Sequence, residues 1–224
     1  MTDLSSILQR LELKILFLVK RFYTNKDLIE DSFGRLYYFP AILAQMGHEC
    51  VVFALDFKNT AATSIRKGNV EFNTIPLKSF WRVPLMRELY QRLVTTRADI
   101  VFTSGDSYIG YLGLLLSERL SSATVFDLYD DYAYFGSNRI PFMRTLLRNA
   151  VRQSDLVVCA SEPVERKYGA YQENTLLVQN GVDNEIFSPE EKSDAREKAN
   201  VSTEDSIVGY FGSIHKPRGV DDLI

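Results

Sequence analysis

Met143-Arg-Thr-Leu-Leu-Arg-Asn-Ala-Val-Arg-Gln-Ser-Asp-Leu-Val-Val-Cys-Ala160 changes its hydrophobic period halfway along, and that change decides the fold class. Met143, Leu146, Leu147 and Ala150 recur at helical spacing, whereas the strand candidate 155–160 is, after Asp155, a short run of successive apolar residues. Apolar residues at consecutive positions mark a strand covered on both faces, as in a buried parallel sheet. Working outward, further strand candidates lie at 14–19, 49–55, 70–75, 99–103, 124–128 and 175–178. Leu36, Phe39, Leu43 and Met46 mark a helix before Gly47, a good carboxyl-terminal stop. Leu85, Leu89, Leu93 and Val94 mark another, and Leu112, Leu115, Leu116 and Leu120 a third. This alternation predicts an α/β fold, a Rossmann-like doubly wound parallel sheet.

The pattern pauses at 184–205, a charged stretch in which Ser188-Pro189-Glu190-Glu191 reads as a helix start. Ser206-Ile-Val-Gly-Tyr-Phe-Gly-Ser213 then reads as a new strand, with the start of a helix at 220–224. The expected organisation is a first domain over 1–183, a linker with a short helix over 184–205, and the opening of an incomplete second domain over 206–224. The length of 224 residues fits one full domain plus such a remainder.

Composition narrows the functional classes. Twenty-six basic residues against twenty-nine acidic ones give a net charge of -3, without the basic excess of a nucleic-acid binder. Cys50 and Cys159 sit in apolar runs and read as two buried reduced thiols. With only His48 and His215 beside them, no zinc-spaced set can be written, and a reducing cytoplasm fits. The apolar run 15–19 is too short for a signal peptide or a membrane helix.

Doubly wound sheets bind ligands beyond the carboxyl ends of their strands. The loop after the first strand lacks G-x-G-x-x-G, so Asp56 reads as a solvated turn residue and NAD binding is not expected. Gly34-Arg35 opens a helix. Either backbone N–H groups approach a phosphate there with Arg35 as counter-ion, or the pair is a plain helix start; the two readings are even. Asp127-Leu-Tyr-Asp-Asp-Tyr-Ala-Tyr-Phe-Gly136 mixes carboxylates with tyrosines, a chemistry suited to polyhydroxylated ligands. Asp130 and Asp131 are the expected binders, while Asp127 reads as a strand residue. Asp106 is an N-cap or a supporting member of the same cleft. Arg144, Arg148 and Arg152 form an i, i+4 stripe; a solvated face is the ordinary explanation, anionic lipid or an acidic partner the others. His48 reads as a structural loop histidine.

Taken in order, these pieces resemble a family 4 glycosyltransferase of the GT-B fold (glycosyl transferases group 1). The resemblance is carried by Leu-Ala-Gln-Met-Gly-His-Glu-Cys-Val-Val, Ala-Asp-Ile-Val-Phe, Asp-Leu-Tyr-Asp-Asp-Tyr and Ser-Asp-Leu-Val-Val-Cys-Ala-Ser-Glu-Pro. Val-Gln-Asn-Gly-Val-Asp-Asn-Glu-Ile-Phe-Ser-Pro and the glycine strand after it are the most specific parts. The resemblance implies two Rossmann-like domains and a metal-independent, retaining transfer of a sugar from a nucleotide diphosphate to a hydroxyl on a glycan or lipid-linked sugar. It needs no cofactor beyond the nucleotide-sugar co-substrate. It places Gly34, Arg35, Gly212, Ser213, Lys216 and Arg218 on the donor side, and Asp106, Tyr129, Asp130 and Asp131 on the acceptor side. Asp130, Asp131 and Arg218 would carry catalysis, Arg218 by stabilising the diphosphate leaving group. Ser213 stands where the family has the first of two basic residues, with Lys216 or His215 as substitutes. The family's acidic pair for donor sugar and ribose would lie beyond residue 224, so most of the donor site is expected in a missing carboxyl-terminal half. Peripheral contact with the inner face of a membrane also fits the family. The alternative is a non-catalytic carbohydrate-binding or interaction module derived from such an enzyme.

Overall fold

A computed structural model of the protein describes residues 12–77, 90–134, 140–212, 214 and 219–222. The chain divides into two units, Met1–Gly181 and Val182–Ile224.

In the first unit the strands are β1 (Lys14–Lys20), β2 (Phe22–Tyr23), β3 (Lys26–Asp27), β4 (Glu49–Asp56), β5 (Ser64–Lys67) and β6 (Val70–Pro76). They continue with β7 (Ile100–Ser104), β8 (Ala123–Leu128), β9 (Leu156–Cys159) and β10 (Thr175–Leu177). The helices are α1 (Arg35–Gln45), α2 at 90–95, α3 (Ser107–Leu120), α4 (Met143–Gln153) and α5 (Glu162–Tyr168). Eight strands form one sheet in the order β10-β9-β8-β7-β1-β4-β6-β5, parallel except for the antiparallel β5–β6 edge. All seven strands expected in this unit form within one residue of their expected ends.

Strand β1 shows why the sheet is buried on both sides. Successive side chains point to opposite faces. Ile15, Phe17 and Val19 enter one core with Leu36 of α1, while Leu16 and Leu18 enter another with Ile109 and Leu116 of α3. Each such burial contributes ~1.5–3 kcal/mol. Gly113 lets α3 lie close to the sheet, because a Cβ there would stand 2.2 Å from Thr103 Cγ2. Gly47, at φ +98°, ends the α1 segment as expected, and the Nδ1 of His48 accepts the Leu13 N–H at 3.4 Å, a structural role.

Some details differ from the sequence reading. On α3, Leu116 is buried but Leu112 and Leu115 are exposed; small residues Gly110, Gly113 and Ser117 take the inward face. The edge strand β5 and the β2–β3 hairpin are additional elements. Leu85 and Leu89 lie outside the described residues.

The second unit contains α6 (Lys192–Lys198), which begins after Glu191 rather than at Ser188. The strand expected at 206–213 does not form over its described part, 206–212, and Phe211 is 99% exposed. A strand requires a neighbour for its N–H and C=O groups, and none stands beside this segment among the described residues of the unit. Val220–Asp222 is a single 3-10 turn.

Candidate functional site

The winding of the sheet locates a site. From β1 the chain builds outward through β4 and β6, then returns to place β7 on the other side of β1. The crevice at such a reversal, beyond the carboxyl ends of the strands, is where doubly wound sheets receive ligands. Lys20 at the end of β1 and Asp106 after β7 meet there, Nζ to Oδ2 at 2.5 Å. The Lys20 ammonium also lies 5.6 Å and 5.9 Å from the ring centroids of Phe57 and Tyr108. Burial, with the charge of Asp106 and a hydrogen bond to it, pushes the Tyr108 phenol well above its ordinary range.

The amino end of α1 is closed by the domain itself. Gly34 has φ +72°, and a Cβ there would stand 2.1 Å from the Tyr23 hydroxyl oxygen. That hydroxyl donates to the Phe33 carbonyl at 2.6 Å and interacts with the backbone of Leu36, in the first turn of α1. Burial pushes the Tyr23 phenol up. Arg35 is equally engaged. Its Nη2 donates to Asp127 Oδ1 at 2.8 Å, and its Nη1 donates to the Val178 carbonyl and to Asn180 Oδ1, each at 2.9 Å. Tyr23 thus fills the space beside Gly34, and Asp127 pairs with the Arg35 guanidinium.

Asp127 lies within β8 as the sequence suggested, fully buried. Ser104 Oγ donates to its Oδ2 at 2.7 Å. Burial still outweighs the Arg35 charge and these hydrogen bonds, and pushes the carboxyl up to about 6. Asp56 is the last residue of β4 rather than a solvated turn residue: it is buried and accepts the N–H groups of Lys58, Asn59 and Thr60.

The two carboxylates after β8 part company. Asp131 accepts from Lys167 Nζ at 2.6 Å and from Tyr168 Oη at 2.8 Å, both on α5. Desolvation would raise its pKa, but the Lys167 and Tyr168 hydrogen bonds prevail and hold it below the usual carboxylate range. Asp131 thus ties the β8 loop to α5. Asp130 is exposed; its Oδ1 accepts the Asp131 N–H at 2.7 Å, and its Oδ2 has no partner among the described residues. Tyr129, half-buried, packs between the rings of Tyr23 and Tyr132 at 5.9 and 5.3 Å. Burial first, then the charges of Asp106, Asp130 and Asp127, push its phenol up to about 12, despite the opposing Tyr132 hydrogen bond. Asp106, Tyr129 and Asp130 thus share one electrostatic neighbourhood.

In the second unit Gly212 is exposed, while Ser213, His215, Lys216 and Arg218 lie outside the described residues. Among the described residues no group of three His, Cys, Asp or Glu side chains could hold a metal ion. Sequence reasoning missed Lys20, Tyr23, Ser104 and Tyr108. No motif marks them; the one available signal was a lysine where an apolar strand ends.

A largely parallel, doubly wound sheet with Lys20, Asp106 and Tyr108 at its reversal point defines a Rossmann-like α/β domain. The family model for Glycosyltransferase Family 4 matches residues 38–186, more than half of the chain, and the chain belongs to that family. Its fold is that of a GT-B domain. The α,α-trehalose-phosphate synthase (UDP-forming) of Burkholderia vietnamiensis matches with 14% identity and a TM-score of 0.50, over 84% of this chain and 52% of that one. An E. coli trehalose-6-phosphate structure bound with UDP-2-fluoro glucose matches with 12% identity and a TM-score of 0.48, over 84% and 54%. Glycyrrhiza uralensis UGT73P12, complexed with glycyrrhetinic acid 3-O-monoglucuronide, matches with 14% identity and a TM-score of 0.48, over 75% and 48%. The chain spans about half the length of these structures. No curated protein sequence matches the chain significantly.

Proposed function

We propose that this chain supplies the acceptor side of a retaining glycosyltransferase that moves a sugar from a nucleotide diphosphate to a hydroxyl. Family membership supports the reaction class, and the UDP-forming synthase among the matched folds supports a nucleotide-sugar donor. The observation that carries the acceptor role is Asp130: an exposed carboxylate at the carboxyl end of β8, with one oxygen free among the described residues, beside Tyr129. An ionised carboxylate accepts hydroxyl hydrogen bonds, and a tyrosine face covers the apolar side of a sugar ring. The acceptor hydroxyl is then fixed by Asp130 while the Lys20–Asp106 pair forms the polar wall after β1 and β7. Gly34, Arg35, Gly212, Ser213, Lys216 and Arg218 remain the residues proposed for the donor side, Arg218 by charge stabilisation of the leaving group. Contact with a membrane surface belongs to the same reading, because the acceptor class includes lipid-linked sugars.

The test is release of nucleoside diphosphate from a panel of nucleotide sugars, with and without glycan or lipid-linked acceptors, and the anomeric configuration of the product. Acceptor-dependent release with retained configuration, weakened by Asp130→Asn, is expected. Inverted configuration would overturn the retaining mechanism. Carbohydrate binding without turnover would overturn the enzymatic reading and leave the binding module.

A further inference from the structure

Asn180 and Gly181 follow β10 in a stretch, 178–183, that belongs to no helix or strand. Both residues are exposed. Among the described residues neither the Gly181 N–H nor the side-chain amide nitrogen of Asn180 has a hydrogen-bond partner. A Cβ at Gly181 would meet nothing within 4 Å, so the backbone nitrogen is open to approach. The amide oxygen, by contrast, is held. Arg35 Nη1 donates to Asn180 Oδ1 at 2.9 Å, and a guanidinium, which can only donate, selects that oxygen over the amide nitrogen. Arg35 is itself fixed by Asp127 Oδ1 at 2.8 Å and by the Val178 carbonyl at 2.9 Å, with its side chain only 9% exposed. A positioned cation thus faces the carbonyl oxygen of an amide whose nitrogen and backbone neighbour are both free.

We infer that Asn180 is a self-modifying site: the Gly181 nitrogen displaces ammonia from its side-chain amide, and Arg35 stabilises the charge that develops on Oδ1. The Gly181 nitrogen gives up its proton to solvent and bonds to Cγ, closing a five-membered ring. The Cγ–Nδ2 bond then breaks, and Nδ2 takes up a proton and leaves as ammonia. Water opens the resulting succinimide at one carbonyl to give aspartate, or at the other to give isoaspartate. The sum is amide plus water to carboxylic acid plus ammonia, with no oxidant, nucleotide or sugar consumed. Ring closure within one chain gives the nitrogen the advantage of an intramolecular reaction. A fixed donor aimed at an oxygen that gains charge lowers the barrier. The product sets a second carboxylate beside a guanidinium that Asp127 already engages, and isoaspartate adds one carbon to the backbone after β10. The conversion runs one way, so the share of amide left at 180 records the time the folded chain has spent in water.

The experiment incubates the 224-residue chain and a synthetic peptide spanning 177–183 at neutral pH, and follows conversion of amide to acid at 180 by mass spectrometry. Conversion on the order of ten-fold faster in the folded chain than in the peptide, which lacks Arg35, is expected. Isoaspartate should appear among the products, the mark of the cyclic intermediate. Gly181→Ala, at a position outside the left-handed region, crowds the attacking nitrogen and should suppress conversion in the folded chain. The double variant Arg35→Gln, Asp127→Asn removes the cation without stranding a buried carboxylate, and should slow conversion on the order of ten-fold. Circular dichroism confirms that the variants fold, and the comparison with the peptide needs no variant. Conversion in the parent chain no faster than in the peptide would overturn the inference and leave Arg35 as a structural tie that holds the amide still. So would a rate unchanged in the double variant.

Discussion

Arg35 Nη2 and Asp127 Oδ1 stand 2.8 Å apart although their residues are separated by 92 positions in the chain. The pair joins the amino end of α1 to β8, and through Val178 and Asn180 the same guanidinium reaches the segment after β10. One side chain thus links three parts of the carboxyl edge on which the proposed acceptor site stands.

Removal of Arg35 leaves a buried carboxylate without compensation. Arg35→Ala is expected to cost about 3–5 kcal/mol at neutral pH. Urea unfolding reads the loss. The cost should shrink near pH 5, where Asp127 takes up a proton in the folded state.

The pH dependence of the parent chain follows from the same residue. With a folded pKa of about 6, above the ordinary aspartate value of 3.8, Asp127 favours folding when protonated. Its contribution is present below the unfolded value, declines as pH rises, and is gone above about 6. That amounts to about 2 kcal/mol between pH 4.5 and 7. Asp27 and Asp131, held below the ordinary range, act in the opposite sense as acid is added, losing their contribution below about pH 4. Unfolding curves of Asp127→Asn should lack the decline between pH 4.5 and 7.

Gly34 is constrained twice, by φ +72° and by the Tyr23 hydroxyl. Gly34→Ala is expected to destabilise by about 1–3 kcal/mol from backbone strain alone, with the side-chain clash added. Addition of Tyr23→Phe should recover part of the loss, since only the clash is relieved. Thermal unfolding of the single and double variants checks this.

The adjacent carboxylates should separate stability from binding. Asp131→Asn loses charge-assisted bonds to Lys167 and Tyr168 and lowers stability by about 1–2 kcal/mol. Asp130→Asn leaves the melting temperature nearly unchanged. Paired melting and ligand titrations of the two variants read the difference.

The cysteines offer a separate check on the core. Burial pushes the Cys50 thiol up to about 12 and the Cys159 thiol up to about 11. Neither should react with a thiol-specific disulfide reagent until urea is added, when both should.

The sheet was legible because its parallel strands are runs such as Cys50-Val-Val-Phe-Ala-Leu55 that need cover on both faces. Edge strand β5, with Arg66 and Lys67 and one partner, carries no such signal; β2 and β3 are only two residues each. In the site, the position of Asp130 and Asp131 after a strand was readable from spacing. Their different fates were not, because Lys167 and Tyr168 come from a helix more than thirty residues away in the chain. The same holds for Arg35, whose type and helix-start position suggest an anion, while the anion it meets is the domain's own Asp127. The segment 206–212 shows the reverse case: a sequence with strand character that has no neighbour to pair with among the described residues of its unit.

The most direct measurement is titration of the chain with glycan and lipid-linked sugar acceptors in the absence of nucleotide. The account predicts saturable binding, weakened about ten-fold by Asp130→Asn through loss of a charge-assisted hydrogen bond, and unaffected by Arg66→Gln on the far edge strand. Acceptor binding indifferent to Asp130, or no acceptor binding beside tight binding of a nucleotide sugar, would contradict it.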